Sequence, residues 1–170
     1  SRGGFGWMAK YVVLPLIVIV GVVGFAHSVV EYFCDKEIKY EVGDYYDDGV
    51  KQGVVFHVWD EGRHGKIVSL DQAELPWSNV DVLVGAVSED DGNVNTDKIM
   101  SLANKDKYPA FVWCRSKGKD WYLPAINELK LLFFNSDVRD AVNNTLKQQG
   151  GTLLVDFGWF KDYWSSTEDN

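Results

Sequence analysis

The stretch KDWYLPAINELKLLFFN, residues 119–135, opens on two aromatic residues, breaks at Leu123-Pro124 and passes at once into helical spacing. Pro124 fits the first position of a helix, where its missing amide proton costs nothing. Ile126, Leu129, Leu132 and Phe133 then make an apolar stripe. Asn135 and Ser136 break that helix and cap a second over residues 137–149, with Val138, Ala141, Val142 and Leu146 turned inward and Gly150-Gly151 closing it. The junction therefore predicts a strand fed straight into a helix pair.

Upstream, the pattern is mainly extended. Residues 54–60 and 66–71 read as two strands of a hairpin around Glu61-Gly62, with Val54, Phe56 and Val58 on one face and Val55, His57 and Trp59 on the other. VDVLVGAV, residues 80–87, is a third short apolar run rich in β-branched residues. The period then changes. Asn95 or Thr96 stands where a helix cap is expected, Ile99, Leu102 and Ala103 make a helix face, and Pro109 ends it. AFVWCR, residues 110–115, reads as a strand with Cys114 as a buried thiol, and a final strand is expected at DYWSSTEDN, residues 162–170.

Composition bounds the function. With 170 residues, 46% apolar and 14% aromatic, the chain has material for one ordinary domain plus a short segment. Its 17 Lys and Arg against 25 Asp and Glu leave a net charge of -8 spread along the sequence, which argues against nucleic acid and polyanionic glycans as partners. The short segment is YVVLPLIVIVGVVGFA, residues 11–26, without a charge and preceded by Arg2 and Lys10. It reads either as a signal peptide with small residues at Ala26 and Ser28 or as a single uncleaved membrane anchor. Both place the rest of the chain outside the cytoplasm. The organisation expected is a leader or anchor at 1–33, a connector at 34–43 and one domain at 44–170.

No catalytic motif emerges from the residues. His27, His57 and His64 lack metal spacing, and Ser88, Ser165 and Ser166 lack a glycine elbow or an ordered triad. EDDGNVNTD, residues 89–97, offers calcium-type oxygens at Asp90, Asp91 and Asn93, but it fails the EF-hand frame. Counted from Asp91, Thr96 stands where glycine belongs and Leu102 where the bidentate Glu belongs. A turn and helix cap account for it, so calcium is only a weak candidate and no other cofactor is expected.

Taken together, Trp121, Leu123, Pro124 and Glu128 in DWYLPAINELKLL, followed by Trp164 and Ser165 in YWSSTE, resemble the signature of a bacterial surface-domain family. That family is typified by the C-terminal domain of a collagen-like adhesin. More distantly, Leu123-Pro124 with Glu128 looks like the signature of sulfatase-modifying and retroelement-diversified variable proteins. The resemblance implies an α+β, C-type-lectin-like fold, with two or three helices on short antiparallel sheets. It implies a cell-envelope or secreted module that binds a glycan or protein without catalysis, with Trp164 as the candidate contact residue. Sulfatase-modifying chemistry, another envelope enzyme activity and a structural pilus role are the alternatives; for the first, Cys34 precedes the domain and Cys114 stands alone. Family members continue beyond the YWSS segment, whereas this chain ends four residues after Ser166, so the resemblance also implies missing C-terminal strands.

Overall fold

Strands β1 (Gly4–Gly6), β2 (Ala9–Val13), β3 (Tyr45–Asp47), β4 (Gln52–Trp59), β5 (His64–Val68) and β6 (Ala73–Leu75) precede helices α1 (Gly92–Met100), α2 (Pro109–Ser116), α3 (Ile126–Phe133) and α4 (Ser136–Gln148). The computed structural model describes residues 4–6, 9–13, 38–155 and 163–168. The expected hairpin forms from β4 and β5, with Val54 opposite Val68 and Trp59 opposite His64. Its connection turns through Asp60, Glu61 and Gly62, all at positive φ (51°, 56° and 85°). Gly62 is required there twice over, because a Cβ would also lie 2.5 Å from the Tyr40 carbonyl oxygen.

The four-stranded sheet is antiparallel throughout, in the order β2-β5-β4-β3, and β1 pairs with β6 separately. Both faces of the sheet are covered. On one, Val54, Phe56 and Val68 pack with Leu129, Leu132 and Phe133 of α3 and with Val142 and Leu146 of α4. On the other, Tyr46, Val55 and Ile67 pack with Ile99 of α1 and with Ala110, Phe111 and Cys114 of α2. Double burial explains why residues 54–56 and 67–68 are uniformly apolar instead of alternating. Each fully buried aliphatic side chain here, Ile67 and Leu129 among them, stabilises by roughly 1.5–3 kcal/mol.

Several expected elements differ. A bulge between Val55 and His57 inserts Phe56 as an extra residue, so Val58 joins the Val55 side rather than that of Val54 and Phe56. Residues 110–115 are helical, not extended: Pro109 starts α2, and Ala110, Phe111 and Cys114 fall at helical spacing toward the core. Among the described residues there are therefore four α-helices, not two or three. Helix α1 starts at Gly92 with Asp91 as its cap, the Asp91 side chain accepting from the amides of Asn93 (2.9 Å) and Val94 (3.2 Å). Asn95 and Thr96 consequently lie inside the helix and are buried. Helix α3 begins after Ala125, whereas Asn135 caps α4 as expected, accepting from the Asp137 amide at 3.0 Å.

Residues 80–87 form an irregular loop instead of a strand, with Val82, Leu83 and Val87 exposed. Residues 164–168 are also irregular. Residues 11–13 of the expected leader belong to β2, while residues 14–37, with His27 and Cys34, lie outside the described residues. Among the described residues no helix is long and apolar enough to cross a membrane.

Cys114 is a fully buried thiol on α2, and burial pushes its pKa well above the ordinary thiol range. Peptide mapping after alkylation is expected to find Cys114 unlabelled in the native protein and labelled in denaturant. Native labelling within minutes would contradict this packing.

Candidate functional site

One buried carboxylate organises the first of the two segments that carry the resemblance. Glu128, at the third position of α3, is 2% exposed. Its Oε2 accepts from the amides of Ala125 (2.8 Å) and Gly92 (3.0 Å), the first being the backbone half of a capping box. Its Oε1 accepts from the Tyr122 hydroxyl at 2.8 Å and from Lys66 Nζ, forming a buried ion pair with β5. One side chain thus ties β5, the aromatic junction and the starts of two helices. His57 faces Lys66 across the hairpin, and burial first, then the Lys66 charge, lowers its pKa below the usual histidine range despite opposition from Glu128.

The second signature segment closes on the first. Tyr163 is buried with its ring 4.8 Å from that of Phe133. The half-buried Trp164 packs against the α1/α2 core, and its Nε1 donates to the Leu75 carbonyl at 2.9 Å. Trp77 Nε1 donates to the Ser165 carbonyl at 2.8 Å. The buried Ser166 donates its amide to the Pro124 carbonyl (2.7 Å), and its Oγ accepts from Asn95 Nδ2 (3.0 Å). Thr167 Oγ1 donates to the Ser88 carbonyl and accepts from the Ile126 amide. Trp121 and Leu123 are buried in the α1/α2 core, and the Leu123 amide donates to Thr96 Oγ1 at 3.2 Å. Side-chain hydrogen bonds and two main-chain ones, from Ser166 to Pro124 and from Glu168 to Ala86, hold residues 163–168 in place without a strand ladder.

Glu168 completes this lattice, accepting from the amides of Val84 (2.8 Å), Gly85 (2.6 Å) and Ala86 (3.0 Å). Glu168→Gln is expected to destabilise by about 1.5 kcal/mol, the lower end for a hydrogen bond to a charged group. Amide exchange measures it directly: the three loop amides should exchange faster while those of β4 remain protected. Unchanged exchange at all three would contradict the contact.

Each calcium candidate makes hydrogen bonds within the protein. Asp91 caps α1, Asp90 Oδ1 accepts from Asn127 Nδ2 (2.6 Å), and Asn93 Oδ1 accepts from Arg115 (3.2 and 3.3 Å). Among the described residues no group of three or more His, Cys, Asp or Glu side chains is placed to hold a metal ion.

An open cleft lies instead between the β3–β4 turn, the chain following β5 and residues 117–121. Its two lobes, about 320 and 450 Å³, share Val50, Lys51, Lys117 and Trp121, and each falls within the size range of small-ligand sites. The walls are charged in matched pairs. Lys51 Nζ stands 3.1 Å from Asp120, Lys117 pairs with Asp71, and the Lys117 ammonium also lies 4.8 Å from the centre of the Trp113 ring. Burial raises the pKa of Asp71, but Lys117 and Ser69 outweigh it and hold the carboxyl below the usual range. Asp48 is turned to its own loop, accepting from the amides of Val50 (2.9 Å) and Lys51 (2.7 Å). Gly118, at φ 142°, keeps the rim low, since a Cβ there would sit 3.3 Å from Trp121 Cδ1.

Trp121 is the cleft residue that a motif marks; the lysines and aspartates follow from none, because the three segments are distant in sequence. Lys66 did leave a signal. It shares a strand face with the core residue Val68, and a lysine in that register needs a buried partner. Comparison with protein-family models, with curated proteins and with solved structures finds no match to this chain.

Proposed function

We propose that this chain is an exported, C-type-lectin-like recognition module that binds a glycan or protein ligand at a bacterial surface without altering it covalently. The observation that supports this reading is the joining of the two signature segments into one lattice. The Ser166 amide donates to the Pro124 carbonyl and Thr167 accepts from the Ile126 amide, which joins the YWSSTE residues to LPAINE, and the matched-charge cleft meets this lattice at Trp121. The signature residues thereby serve the scaffold, and the cleft is where a ligand is recognised. Trp164 then acts by anchoring its segment to Leu75. The net charge of -8 favours partners other than nucleic acid.

The test is binding of the purified full chain to panels of immobilised surface glycans and surface proteins, measured with the native chain and with Lys117→Ala. Saturable binding that the substitution weakens is the expected result. Binding by neither protein would overturn the reading, and equal binding by both would place the ligand outside the cleft.

A further inference from the structure

The cleft carries a more specific assignment, which rests on the recognition reading above. We infer that it takes a neutral, hydroxyl-rich ligand, an uncharged glycan segment, with the Lys51–Asp120 and Lys117–Asp71 pairs as its polar contacts.

Charge balance is the first reason. The lining holds Lys51, Lys117 and Lys119 against Asp48, Asp71 and Asp120, so no net charge recruits an ionic ligand. An acidic group entering here would draw a lysine from its aspartate on a chain already at -8. A basic group would displace a lysine at similar cost. Breaking either pair gives back most of what the new pair contributes.

Hydrogen-bond chemistry is the second. A sugar hydroxyl donates and accepts at once. An ammonium 3.1 Å from a carboxylate offers the complementary donor and acceptor side by side, and a hydroxyl can engage both without separating the charges. Two such pairs border the same cleft. Ser69 donates to Asp71, which with Lys117 fixes that carboxylate in place.

Shape is the third. The exposed Val50 at the rim, together with the part-buried Leu70, gives apolar surface for the C–H face of a ring. The lobes are open, which suits an internal segment of a longer chain better than a small enclosed molecule.

The experiment applies the full chain to a glycan array with two arms, neutral oligosaccharides of glucose, galactose, mannose and N-acetylglucosamine, and sulfated, sialylated or uronate-bearing oligosaccharides. Neutral glycans are expected to bind, with affinity changing less than about twofold between low and high salt, because no counterions are released. Lys117→Ala and, separately, Asp120→Ala are each expected to weaken binding about tenfold while both variants keep the native melting profile. Binding confined to the acidic arm and falling steeply with salt would overturn the assignment and leave the recognition reading intact. Saturable protein binding with no glycan bound would do the same. Neutral binding that both variants retain would move the site elsewhere. Failure to bind any glycan or protein would overturn the recognition reading as well.

Discussion

Gly92→Ala is expected to destabilise the protein by about 3 kcal/mol, lowering its melting temperature by roughly 10 °C. Helix propensity alone points the other way, since alanine in place of glycine within a helix ordinarily stabilises by roughly 0.5–1 kcal/mol. The environment of Gly92 decides the sign. A Cβ there would lie 2.3 Å from the Leu123 carbonyl oxygen, 2.7 Å from the Ala125 nitrogen and 2.8 Å from Pro124 Cα. All three are backbone atoms of the junction, so no side-chain rotation relieves the contact. Moving α1 outward would lengthen the hydrogen bond from the Gly92 amide to Glu128 and those joining Asn95 to Ser166 and Thr96 to Leu123. Val94→Ala, at a position of α1 that is 55% exposed, is the matched control and should change stability by less than about 0.5 kcal/mol. Paired thermal melts give the answer. A Gly92→Ala protein that melts with or above the native chain would show that α1 does not seat against the junction at this distance.

The same close approach explains what was legible in the sequence. Local signals were enough for the β4–β5 hairpin, for α3 and for α4 with its Asn135 cap, because each is marked by period or by a turn residue of its own. Helix α2 was misread because PAFVWCRS is too short for a period to separate buried helix from buried strand. The start of α1 was misplaced because Asn95 and Thr96 are cap-type residues used for long-range bonding, to Ser166 and Leu123, while Asp91 holds the cap. Residues 80–87 have strand composition, yet the Glu168 carboxylate takes the amides of residues 84–86 that a ladder would use. The cleft was the least legible feature. Its lysines and aspartates are ordinary surface residues until the β3–β4 turn and residues 117–121 are brought together.

Glu128→Gln is expected to have the largest single effect, a loss of about 3–5 kcal/mol, because it leaves the Lys66 ammonium buried against a neutral amide. The pair is almost wholly enclosed, with side-chain exposures of 7% for Lys66 and 2% for Glu128. Solvent screening therefore does little to soften the change. Glutamine has the shape of glutamate, so the cost reflects charge and donor count, not a cavity. One amide oxygen replaces two carboxylate oxygens that serve the amides of Gly92 and Ala125, the Tyr122 hydroxyl and Lys66. Adding Lys66→Met should recover more than half of the loss. The buried cation is then gone, the glutamine oxygen can turn to the two amides, and its NH2 group can donate to Tyr122. Chemical denaturation of the native chain, both single variants and the double variant closes a double-mutant cycle, with an expected coupling of about 2 kcal/mol or more. Additive losses would mean that Lys66 and Glu128 act independently, and the junction would then be held by its backbone contacts alone. A strong coupling would identify the pair as the joint on which the two helix layers and the sheet depend.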